Sequence, residues 1–115
     1  MDLNHLHLHV KNLDKTRRFY EDHFKFREHT WHGNILFLRN DNDFDLALMP
    51  DKSDWNFPKW FHFGFRLNSP SEVKQLFEQI KSAGESIDTE LEEYDDFVFF
   101  RCMDPEGNKI EVYWE

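Results

Sequence analysis

The sequence predicts an α+β fold built from two similar modules in tandem, each a strand, a helix and then three strands. Self-similarity is the first ground for this. The segment from His5 to Phe26 and the segment from His62 to Gly84 both run from alternating apolar residues through a capping signal into an amphipathic helix. Short alternating runs separated by turn sequences follow each helix, which is the pattern of strands. Finally, 115 residues with 39% apolar and 17% aromatic content can build a real core, despite 32% charged residues. The expected organisation is a single domain over 1–115, with modules at about 1–50 and 60–115.

In the first module, Leu3 to Val10 reads as a strand, with Leu6, Leu8 and Val10 on one face and His5, His7 and His9 on the other. A helix is expected from about Lys15 to Phe24, capped by Asp14, with Phe19, Tyr20 and Phe24 on its apolar side. Strands are expected at Glu28–His32 and Ile35–Arg39 around Gly33-Asn34, then at Phe44–Met49 after a polar turn. Asp51 to Lys59 reads as a connector. The second module opens with a strand from Trp60 to Leu67. Ser69-Pro70-Ser71-Glu72 is a capping box, and Val73, Leu76, Phe77 and Ile80 follow at helical spacing up to Gly84. The acidic stretch Glu85 to Asp96 reads as a short strand near Ser86 to Asp88 and then a solvated loop. Phe97–Met103 and Asn108–Trp114 complete the module around the turn Asp104-Pro105-Glu106-Gly107.

The net charge of −9 and pI near 5.2 disfavour phosphate backbones and anionic membranes as partners. No apolar run approaches the roughly 20 residues that span a bilayer. The first residues lack the features of a secretory signal, and Cys102 is the sole cysteine, so a cytoplasmic protein is expected. Cys102 itself reads as a small buried hydrophobe.

Strand parity gathers polar residues away from the helices. His5, His7 and His9 share that face in the first strand, His62, Gly64 and Arg66 in the strand Trp60 to Leu67, and Lys109, Glu111 and Tyr113 in the last strand. Two readings of His5, His62 and Glu111 stand at this point. They are separately satisfied polar residues, or they are the two-imidazole, one-carboxylate set that binds one divalent Fe, Mn, Zn or Ni with positions left open for substrate. His7 is the candidate general base beside such a metal, and Arg101, also inward by parity, a candidate anion anchor. Arg66, Tyr113 and Trp60 are candidate substrate contacts, and the inward cations suit an anionic or carbonyl-rich small molecule.

Leu3-Asn4-His5-Leu6 with Val10, Leu13 and Arg18-Phe19-Tyr20 resembles the opening signature of the vicinal oxygen chelate superfamily. Phe61-His62-Phe63-Gly64 and Asp104-Pro105-Glu106-Gly107-Asn108-Lys109-Ile110-Glu111 resemble its middle and closing motifs. That superfamily includes glyoxalase I, fosfomycin-resistance transferases, extradiol dioxygenases, methylmalonyl-CoA epimerases and bleomycin-binding proteins. The resemblance implies two βαβββ modules forming curled mixed sheets around a cleft. It also implies a metal on His5, His62 and Glu111, and a homodimer whose sites are shared between chains. Ala47 falls where the glyoxalase I pattern has a fourth ligand, with Asp45 two residues away. The transferase pattern has Thr in place of His7, and Ser and Tyr where this chain offers Phe99 and Arg101. The implied activity is therefore a metal-dependent lyase, transferase or dioxygenase reaction on an oxygen-rich small molecule. The rival readings are a non-catalytic protein that binds a drug or metabolite, and a purely structural dimerisation module.

Overall fold

Two four-stranded sheets of the same topology make up the protein. The computed structural model describes residues 1–115, which divide into two compact units, Met1–Trp55 and Asn56–Glu115. In the first, β1 (His5–Val10), α1 (Leu13–Phe24), β2 (Arg27–His32), β3 (Ile35–Arg39) and β4 (Asp45–Pro50) form a sheet in the order β1-β4-β3-β2. In the second, β5 (Phe63–Arg66), α2 (Pro70–Ser82), β6 (Ile87–Tyr94), β7 (Phe97–Met103) and β8 (Lys109–Trp114) form the order β5-β8-β7-β6. The strand before each helix runs parallel to the last strand of its unit, and every other pairing is antiparallel. These are tandem βαβββ modules, as the sequence predicts.

Each helix forms for local reasons. Asn12, not Asp14, caps α1: its side-chain oxygen accepts the Lys15 N–H at 3.1 Å. Asp14 sits in the first turn, where a negative charge favours the positive helix end. Ser69 caps α2 by accepting from the Glu72 N–H, and the Glu72 carboxylate takes the Asn68 N–H at 2.7 Å. Thr16, Phe19, Tyr20 and Phe24 are the buried stripe of α1, and Tyr20 also meets Phe26 edge-on. Val73, Phe77 and Ile80 are the buried stripe of α2, where Phe77 packs against Phe100 of β7 at 5.2 Å between ring centres. Tyr20 and Phe100 are fully buried, and burial of such a ring contributes roughly 1.5–3 kcal/mol.

The largest departures from the expected strands are at β5 and β6. β5 begins at Phe63 because Pro58 starts a turn that the Phe61 N–H closes onto the Pro58 carbonyl at 2.9 Å. Trp60, Phe61 and His62 therefore precede the strand. The acidic stretch is not a loop: Ile87–Tyr94 is a full strand paired with β7 through a tight turn, Tyr94 opposite Phe97. It is an outer strand with irregular register, so it never needs a continuous apolar face. No helix is long and apolar enough to cross a membrane.

Candidate metal centre

In the second unit, strand adjacency brings the polar residues of three strands into rows. Gly64 of β5 stands opposite Glu111 of β8, which stands opposite Arg101 of β7. Arg66, Tyr113 and Phe99 form the next row. Gly64 permits the close approach. A Cβ there would lie 3.1 Å from the Glu111 carbonyl oxygen and 3.7 Å from its Cβ.

Glu111 and His62 meet on this face. His62 Nε2 is 4.0 Å from Glu111 Oε2. Two donors each about 2.0–2.2 Å from one ion stand at most about 4.4 Å apart, so a single cation fits between these atoms. The other atom of each group is engaged. His62 Nδ1–H donates to the Trp60 carbonyl at 3.2 Å, which leaves Nε2 with the lone pair. Glu111 Oε1 accepts from Arg101 Nε and Nη2 at 3.3 and 3.2 Å, which leaves Oε2 on the His62 side. Beside them lie Phe97 stacked on Phe99 at 5.0 Å, Tyr113 near Phe97, and the Arg101 guanidinium 5.6 Å from the Phe99 ring centre.

In the first unit, His5, His7 and His9 lie opposite Asp45, Ala47 and Met49 of β4. His5 Nδ1–H donates to Asn4 Oδ1 at 2.8 Å, so its Nε2 is also left as the lone-pair nitrogen. His9 Nδ1 meets Asp51 Oδ2 at 2.7 Å, and His9 Nε2 meets His7 Nε2 at 3.1 Å. Asp45 binds Arg39 through both oxygens at 2.6 and 3.0 Å, and this bonding holds its carboxyl below the usual range. Asp45 is thus engaged by a guanidinium. Ala47, two residues on, is buried and carries no donor. The register agrees with the sequence comparison. Gly64 is two residues past His62 and opposes Glu111, and His7 is two past His5 and opposes Ala47.

The structure therefore brings His62, Glu111 and Arg101 together within the second unit, and carries His5 and His7 on β1 of the first. No group of three or more His, Cys, Asp or Glu side chains is gathered closely enough to hold a metal ion. The pair that is gathered, His62 Nε2 with Glu111 Oε2, has the donor types a divalent cation takes, and the other atom of each group is already engaged. Of the candidate substrate contacts, Arg66 donates to the Glu115 carbonyl at 2.7 Å, Tyr113 sits beside Phe97, and the Trp60 side chain is largely exposed. Cys102 is fully buried, and burial pushes its thiol up to about 12, so it carries no reactive thiolate. The Asp51–His9 contact was not legible in the sequence, because it spans 42 positions and depends on the parallel register of β1 with β4.

The family described as Glyoxalase/Bleomycin resistance protein/Dioxygenase superfamily matches residues 2–112. Among solved structures, a possible glyoxalase from Bacillus cereus is 29% identical, with a TM-score of 0.83 and 97% of each chain covered. A genomically encoded fosfomycin resistance protein from Listeria monocytogenes is 21% identical with a TM-score of 0.86, over 100% of this chain and 93% of that one. A lactoylglutathione lyase from Agrobacterium tumefaciens is 20% identical with a TM-score of 0.76, over 98% and 92%. The last two are similar in fold alone. Comparison with curated proteins finds no match.

Proposed function

The chain belongs to the glyoxalase/bleomycin resistance protein/dioxygenase superfamily, the vicinal oxygen chelate group, and from that premise we propose that it is a metal-dependent enzyme acting on an oxygen-rich small molecule. One observation carries the reading. His62 Nε2 and Glu111 Oε2 face each other at 4.0 Å while the opposite atom of each group is pinned by Trp60 and Arg101. A free imidazole or carboxylate on an open sheet has no need of such anchoring, whereas metal ligands are commonly oriented this way. His5, anchored by Asn4 in the same manner, is the third ligand, supplied within the chain or across a homodimer. The two units then act as one functional domain.

When bound, a divalent metal supplies an electrophile that withdraws charge from a chelated substrate oxygen. The chain's own residues do the rest. Arg101 holds Glu111 in place and adds positive charge for an anionic or carbonyl-rich group. Arg66 and Tyr113 line the next row, and Trp60 offers an exposed ring against which a substrate can lie. His7 takes up the substrate proton as general base. The reaction is of the lyase, transferase or dioxygenase type, in a cytoplasmic setting. With Ala47 and the engaged Asp45 in the first sheet, a four-ligand centre of the glyoxalase I pattern is not the one proposed.

The test is metal content. Protein expressed without an affinity tag, or reloaded with Fe(II), Mn(II), Zn(II) or Ni(II), holds close to one ion per chain by elemental analysis. His62→Ala and Glu111→Ala lose it. Failure of every metal to load would overturn the reading and leave the aromatic floor of Phe97, Phe99 and Tyr113 as a non-catalytic binding surface.

A further inference from the structure

β1 carries three imidazoles on one face, and the proposed function uses only His5 and His7. His9 is tied at both ring nitrogens, to Asp51 and to His7. Main-chain pairing makes this possible: Val10 lies beside Pro50, and the Asp51 N–H donates to the Val10 carbonyl at 2.9 Å. Asp51 is thereby fixed at the end of β1. Its second oxygen accepts the Ser53 N–H at 2.9 Å and the Ser53 hydroxyl at 2.7 Å. These donors, with His9, hold its carboxyl at about 2. Asp51 is ionised at neutral pH and can only accept.

For two neutral rings, valence fixes the rest. His9 Nδ1 must carry the proton it gives to Asp51. A neutral imidazole has one N–H, so His9 Nε2 holds a lone pair. The 3.1 Å contact is then a hydrogen bond only if His7 Nε2 is the donor. His7 is left with its lone pair on Nδ1. Trp55 meets the His9 ring edge-on at 6.1 Å.

We propose that Asp51 and His9 are positioning residues that lock His7 in the Nε2–H tautomer, so that Nδ1 is the nitrogen His7 offers to substrate. This rests on the reading of His7 as the general base. In the step it prepares, the substrate C–H or O–H proton passes to His7 Nδ1 and the electron pair of the broken bond stays on the substrate.

Nitrogen-15 NMR of the histidine rings in the full-length neutral protein, as purified and after chelation, tests this without a substrate. The expected pattern is Nδ1–H for His9 and Nε2–H for His7. Asp51→Ala removes the acceptor. His9 then takes the ordinarily favoured Nε2–H form and donates to His7, whose proton moves to Nδ1. Asp51→Asn retains an oxygen acceptor and keeps the wild-type pattern. A side chain that only packs would not change the tautomer of a ring two hydrogen bonds away. Finding Nδ1–H on His7 in the wild type overturns the inference, and that measurement decides the matter even where Asp51→Ala fails to fold. So does a His7 signal unchanged in a folded Asp51→Ala. Loss of metal binding would sink the ligand reading and leave these tautomers standing, so the two failures are distinguishable.

Discussion

Each sheet carries one arginine–carboxylate pair on its polar face, and the two pairs have opposite consequences. Arg39 grips both oxygens of Asp45, so that carboxylate is closed to any other partner. Arg101 grips only Oε1 of Glu111 and leaves Oε2 directed at His62. The topologies are the same and the chemistries differ. A single carboxylate oxygen, kept open or covered, separates a structural ion pair from a candidate ligand. The same contrast runs along the parallel edges. β5 keeps Gly64 beside its carboxylate, whereas β1 carries His7 beside Ala47.

The largest expected effect breaks this comparison at the carboxylates themselves. Glu111→Ala abolishes metal loading, whereas Asp45→Ala leaves close to one ion per chain by elemental analysis; equal loss in both would erase the distinction. Next come the arginines. Arg101→Gln weakens metal affinity about 10–100-fold, the usual effect of removing a group that orients a ligand, and Arg39→Gln leaves affinity unchanged in competition with a chelating dye. Gly64→Val forces a side chain against the Glu111 backbone and costs about 1–3 kcal/mol in urea denaturation, while His7→Val stays within about 0.5 kcal/mol.

A smaller effect is read in acid. The Asp51 carboxyl is lowered from 3.8 to about 2 in the folded protein. Its contribution is therefore complete above the unfolded value and is lost as pH falls through the interval down to about 2. Asp51→Ala flattens the stability profile across that interval, measured by denaturation at a series of pH values. The caps close the series. Asn12→Ala and Ser69→Ala each cost about 1 kcal/mol, one in each unit.

Much of this arrangement was legible in the chain because the strands that bear it are half-buried and alternate cleanly. Leu8 and Val10, Val98 and Phe100, and Ile110 and Val112 are buried, which places His5, His7, Arg101 and Glu111 on the opposite face of their strands by parity alone. The capping box of α2 was readable for the same reason, since its chemistry is local. What escaped depended on partners far along the chain or on missing contrast. β6 offers Ile87 and Leu91 among acidic residues, too little alternation to announce a strand, and only its pairing with β7 makes it one. The Pro58 turn cut the expected opening of β5 short, because one local hydrogen bond took an amide the strand would have used. Asn12 displaced Asp14 as the cap, since both are good cap residues and backbone geometry alone chose between them. Parity could not show that Arg101 spends itself on Glu111.

The border strand β6 has a further consequence, for how copies of the protein behave when crowded. It presents an outer rim of main-chain amides and carbonyls, the surface along which sheets of separate molecules fuse. Two breaks in its register, at Ile87/Thr89 and Thr89/Glu92, roughen that rim, and Asp88, Glu90, Glu92 and Glu93 line it with charge. Lys74 and Lys81 reach across from α2 to Glu93 and Glu90, so the rim is overlaid by long side chains as well. The run of acidic residues that hid this strand from a reading of the sequence is thus also its guard against fibrous self-association.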